Sequence, residues 1–228
     1  MPRRNFFLQT LTDVHTRSRG YLPHWELEGA TYSVTFRLHG SLPASVIANL
    51  NEYRRSLTRL ITGGMRKLTF LENMDLRARF EHVLDDALHE QTGVAFMNDP
   101  AIAELIANPL TYFDGQRYEL DAWCVMPNHV HVVFRLLGQS TLARVLHSWK
   151  SYSSWRANEI LGREGRFWQR EYFDRIVRNE EDFAQTVGYV VRNPEKAGLR
   201  EWPWVWSAGW KPADRPAGSR RSVSRRSG

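Results

Sequence analysis

Two histidines stand one residue apart in "MPNHVHVVF", Met126 to Phe134. In a strand, residues i and i+2 point to the same face, so His129 and His131 project together while Val130, Val132 and Phe134 face the other way. Two imidazoles placed like this can hold one metal ion. The plainer alternative is a pair of ordinary strand histidines. A metal would need a further ligand, and Cys124 is a poor one, because Trp123 and Val125 beside it read as strand interior. The segment "NEEDFAQTVGYVVRNPEKAG" offers an oxygen instead. On its helical wheel Phe183, Val187, Val190 and Val191 form an apolar stripe, with Thr186, Tyr189 and Asn193 on a neighbouring one. The Asn193 amide could join His129 and His131 on a hard divalent cation, Mg²⁺ or Mn²⁺, with Tyr189 beside it. The plainer alternative makes Tyr189 an amphipathic-helix tyrosine and Asn193 a C-cap.

These residues need a scaffold. "TYSVTFRL" (Thr31–Leu38) alternates like a half-buried strand, and "GSLP" ends it. Ala44 to about Thr62 reads as a helix, with Val46, Ile47, Leu50, Leu57 and Leu60 as its stripe and Ser41 or Ser45 as a cap. Residues 63–116 read as further helix, clearest in "RARFEHVLDDALHE" and in "DPAIAELIANP", whose two prolines are start and stop signals. No repeat and no chemistry is read there. "YELDAWCVMP" and "HVHVVFRLL" read as a strand pair turning at Asn128. Ser140–Leu161 reads as a long amphipathic helix capped by Ser140 or Thr141, and Arg166–Val177 as a further strand. The last helix opens at Asn179 and is expected to stop at Pro194. The order predicts an α+β fold: a ferredoxin-like, split-βαβ antiparallel sheet with helices on one face and a helical insertion.

The chain has 228 residues, 42% of them hydrophobic and 9 of them Trp, so it can build a real core. One domain is expected over 31–200, with the insertion at about 63–116, an irregular segment at 1–30 and a Trp- and Arg-rich, partly disordered tail at 201–228. The net charge of +6 favours a polyanionic partner. Lys150, Arg166, Arg170, Arg175 and Arg178 could bind phosphates, and Trp149, Trp155 and Trp168 could stack on unpaired bases. A single cysteine and no apolar run of membrane-spanning length suggest a cytoplasmic protein with no membrane partner.

"MPNHVH" resembles the His-hydrophobic-His signature of the HUH single-strand nucleases. "GYVVRNPEKAGL", following "RFWQREYFDRIVRNEEDF", resembles the end of the single-tyrosine transposases of the IS200/IS605 type, and "GYLPHWELEGATYSVTFRLHGSLP" resembles their REP-associated branch. The resemblance covers about 20–62 and 117–200. It implies a metal-dependent transposase or endonuclease that cleaves and rejoins single-stranded, hairpin-bearing DNA through a 5′-phosphotyrosine. It makes Tyr189 the nucleophile, His129 and His131 metal ligands, and Asn193 the third ligand, where relatives usually carry a glutamine. Neither Tyr152 nor Tyr172 has an amide four residues on. The REP-associated branch points to a monomer rather than a site-sharing dimer. A different class stays open: a non-catalytic module binding hairpin DNA or RNA on the same fold.

Overall fold

The computed structural model describes residues 15–18 and 23–209. Its centre is a five-stranded antiparallel sheet of β3 (Thr31–Arg37), β4 (Tyr118–Val125), β5 (His129–Leu136), β6 (Phe173–Ile176) and β7 (Val205–Ser207), in the order β6-β3-β5-β4-β7. Without β7, that is the split-βαβ order expected from the sequence. Two findings change the reading of the ends. The segment read as irregular holds a backbone-paired ribbon of β1 (His15–Ser18) and β2 (Pro23–Glu26). The start of the expected tail is β7, which closes the β4 edge through Ala122, Trp123 and Cys124. There the Trp202 indole N–H donates to the Val125 carbonyl at 2.7 Å. The Arg-rich stretch beyond lies outside the described residues.

Helices cover both faces of the sheet rather than the expected one. Tyr32, Val34 and Phe36 of β3 and Val130, Val132 and Phe134 of β5 point into the main core. That core is roofed by α3 (Pro100–Tyr112) and α4 (Leu142–Ile160), with Trp149 and Phe167 fully buried. The opposite face carries α5 (Glu180–Lys196) over Ala122, Cys124 and Val133. Beside it lies α2 (Phe70–His89), packed with α1 (Ala44–Thr62) on Phe173. A sheet with apolar side chains on both faces requires both to be covered.

Several ends differ for local reasons. Pro43, not Ser41 or Ser45, precedes α1, and Ser41 accepts a bond from Arg37 instead. Leu60 ends 78% exposed, so the α1 stripe is buried only over its first half. Helices α3 and α5 continue through Pro109 and Pro194, both read as stops. Each proline removes one backbone donor, but burial of Leu110 and Pro194 just there offsets the loss. Strand β6 is shorter than Arg166–Val177, because Phe167 and Trp168 turn into the main core. Among the described residues, no helix is long and apolar enough to cross a membrane.

Candidate active site

The sheet face under α2 and α5 is where His129 and His131 point. Both are buried, and their Nε2 atoms approach to 3.0 Å. Their other ring nitrogens decide what that approach means. Asn128 donates its amide to the Leu88 carbonyl at 2.8 Å, which turns its Oδ1 toward His129 Nδ1 at 2.6 Å. An amide oxygen only accepts, so His129 carries its proton on Nδ1. His129 therefore presents a bare Nε2 lone pair toward His131 Nε2. Thr35 Oγ1 meets His131 Nδ1 at 2.8 Å and lies 3.4 Å from Glu81 Oε1. His131 can donate from Nε2 to that lone pair, or donate from Nδ1 to the Thr35 hydroxyl and turn a second Nε2 lone pair to the same point for a cation. Partners behind ligating imidazoles set the tautomer in this way in metal sites.

Asp85 supplies the carboxylate. It is fully buried, with Oδ2 3.3 Å from His131 Nε2 and Oδ1 without a partner. Burial, then the charge of Glu81, pushes its pKa well above the carboxylate range. Burial pushes His129 well below the ordinary imidazole value, and His131 down to about 3, with the neighbouring histidines adding to the effect. The imidazoles are thus held neutral, as metal ligands must be. Asp85, His129 and His131 bring their ligand atoms within 4.8 Å of one another, a group that could hold a metal ion. The converging Nε2 atoms and the orphaned Asp85 oxygen fit a divalent cation.

Tyr189 stands against this group. Its hydroxyl donates to Asp85 Oδ2 at 2.5 Å, and its ring lies 6.0 Å from His131 and 5.0 Å from His82. Lys196, two turns further along α5, sits 4.5 Å over the same ring. Burial, then the Asp85 charge, raises the phenol pKa, so the resting phenol is protonated. Tyr152 is exposed on α4 and Tyr172 packs on the main core, so neither joins this group. Asn193 is buried nearby, with Oδ1 accepting from His89 Nε2 at 3.0 Å.

The proposed DNA contacts separate into two kinds. Arg175 bonds Glu81, Asp182 and Thr186, which locks β6 to α2 and α5 rather than leaving it for a phosphate. Trp168 is 5% exposed and edge-on to Phe36, so it has no free face for a base, and Trp149 is likewise core. Lys150 donates to the carbonyls of Gln169 and Arg170, and burial lowers its pKa to about 8. Arg178 pairs with Asp75 at 2.9 Å while remaining partly open. Arg166 and Arg170 line an open cavity with Trp155, and these stay accessible.

Asp85, Glu81, His89, Asn128 and Thr35 were not singled out in the sequence. A signal existed in "FEHVLDDALHE": Glu81, His82, Asp85 and His89 recur at helical spacing on one face of α2. The stretch read as devoid of chemistry thus supplies the carboxylate of the candidate centre.

Fold and site together define a split-βαβ protein with a candidate two-histidine, one-carboxylate metal centre facing a tyrosine. Residues 96–193 match the family model described as "Transposase IS200 like". The chain is 26% identical over 92 residues to a REP-associated tyrosine transposase of Escherichia coli (strain K12), covering 38% of this chain and 53% of that protein. It is 24% identical over 101 residues to a Haemophilus influenzae protein named "Putative REP-associated tyrosine transposase", covering 38% of this chain and 57% of that one. The chain thus spans little more than half the length of these relatives. A solved REP-associated tyrosine transposase bound to a REP hairpin aligns over 92% of this chain and 100% of its own, at 16% identity and a TM-score of 0.41.

Proposed function

We propose that this protein cleaves and rejoins single-stranded DNA bearing REP-like hairpins, with Tyr189 as the nucleophile. One observation carries the reading most: the Tyr189 hydroxyl is bonded to the carboxylate that also faces His131. The matching family model and the names of the similar proteins suggest the substrate class. In this reading His129, His131 and Asp85 hold a divalent cation, which would polarise the scissile phosphate when bound. Asn193 is the alternative third ligand. Two imidazoles and a carboxylate suit Mn²⁺ better than Mg²⁺, which prefers an oxygen shell.

Asp85 holds the phenol in place, and once ionised it is positioned to take the phenol's proton. The Tyr189 oxygen bonds to phosphorus, the P–O3′ bond breaks, and the departing 3′ oxygen gains a proton. The product is a 5′-phosphotyrosine and a free 3′-OH. A second 3′-OH reverses the step and releases Tyr189, so strands are exchanged without an external energy source. Lys196 would favour the phenolate by its charge. Arg166, Arg170 and Arg178 remain candidates for backbone contacts.

The test is a covalent-trapping gel with labelled hairpins from DNA flanking the gene, with and without Mn²⁺. An adduct is expected in the wild type, lost in Tyr189→Phe and kept in Tyr152→Phe and Tyr172→Phe. Tight hairpin binding with no adduct, indifferent to EDTA, would instead make the protein a binding module.

A further inference from the structure

Two turns before Asp85 on α2, a cavity of about 350 Å³ opens between α1, α2 and the start of β6. Its volume is at the small end of ligand sites, roughly 300–1,000 Å³. Arg54, Arg55 and Arg59 of α1 and Arg77 of α2 line it with Phe80 and Phe173, and no acidic residue does. Arg77 is held inside, its guanidinium 3.4 Å from Asp174 and 5.8 Å over the Phe173 ring. Arg55 and Arg59 are exposed and make no ion pair among the described residues. The cations crowd one another: burial, then the charges of Arg77 and Arg55, lowers the Arg54 pKa. A cleft this cationic would be relieved by an anion.

The location matters. Arg77 and Asp85 are eight residues apart on one helix, about 12 Å, within reach of a few nucleotides of extended strand. The exposed guanidinium rim can hold a phosphate through paired N–H donors, while Phe80 and Phe173 are buried and leave no free face for a base.

We propose that this groove holds a phosphate of the single-stranded DNA flank between the guanidiniums of Arg55 and Arg59. The proposal rests on the reading of the protein as a single-strand transposase and adds a second anchor to it. It places the single-stranded flank of the hairpin along α2, leading to Tyr189.

The experiment measures fluorescence anisotropy of labelled hairpins, with and without single-stranded flanks, across a salt series. The proteins are the wild type, Arg55→Ala/Arg59→Ala, and the control Arg117→Ala/Arg144→Ala, which removes the same charge elsewhere. Adduct formation is followed on the same DNA. The groove variant is expected to bind flanked hairpins at least about tenfold more weakly, with the slope of log K against log salt reduced by about 1.4. Binding of unflanked hairpins and the control should be unchanged. Equal binding of flanked hairpins by variant and wild type, where the wild type forms adduct, would overturn the groove alone. Equal weakening on flanked and unflanked hairpins would place the contact on the stem and also overturn it. A wild type that neither binds nor forms adduct would remove the transposase reading, and the groove with it.

Discussion

At the scale of single residues, Asn128 and Thr35 matter as much as the histidines they touch. Asn128 fixes the His129 Nδ1–H and so aims its Nε2 lone pair at the centre, while Thr35 bonds His131 Nδ1 from behind. The third ligand is decided by affinity. Asp85→Asn should weaken Mn²⁺ binding in a calorimetric titration far more than Asn193→Ala, and the reverse ranking would make Asn193 the ligand. The same residues predict opposite pH effects in the metal-free protein. His131 is held at about 3 against an ordinary 6.5, so below that value the unfolded chain binds a proton that the folded one refuses. Stability should therefore fall with pH below 6.5, by about 1.4 kcal/mol per unit for such a histidine. Asp85 acts in the other direction, because its folded carboxyl keeps a proton that the unfolded chain releases above about pH 4. In urea melts with EDTA between pH 6.5 and 5, His131→Gln should flatten the loss and Asp85→Asn should steepen it. Parallel slopes for all three proteins would contradict this account.

At the scale of elements, α2 is the part to understand. Thr69 and Glu72 form a capping box at its start, and Arg66 bonds Glu72. Its other end is set by a close approach of backbones. A Cβ on Gly93 would lie 2.3 Å from the Gly40 carbonyl oxygen, while Val94 donates to that oxygen at 3.0 Å. The chain leaving α2 is thereby pinned to the loop after β3, which fixes where Asp85, Leu88 and His89 meet β5. Gly93→Ala should destabilise the protein by about 2–3 kcal/mol in denaturant melts. A neutral result would mean that this approach does not hold α2. The sequence made α2 a helix by its periodicity, and α5 by Asn179 and the acids after it. It could not show that α2 crosses the histidine face, because that packing joins residues about 45 positions apart, such as Glu81 with Ser33 and Thr35.

For the whole molecule, the candidate centre joins three separate parts: β5 in the sheet, α2 and α5. A cation bound there would stabilise only the folded chain, since the ligands are dispersed on unfolding. Mn²⁺ at about 100 times its Kd should add about 2.7 kcal/mol to stability, read as a rise in Tm that EDTA reverses. The rise should vanish in His129→Ala, and its persistence there would move the metal elsewhere. What the sequence determined by itself were patterns that are local: the strand pair with His129 and His131 on one face, the helix bearing Tyr189 and Asn193, the antiparallel α+β class and the family resemblance. The elements follow from periods of two and 3.6 residues, which neighbours alone impose, and the resemblance rests on motifs contiguous in the chain. Tertiary structure alone decided that Asp85 faces the histidines, that Asn193 meets His89, that Trp168 is core, and that α3 and α5 run through their prolines. Each depends on burial against segments far away in the chain, where packing outweighs local preference and where an ionisable side chain acquires its partner.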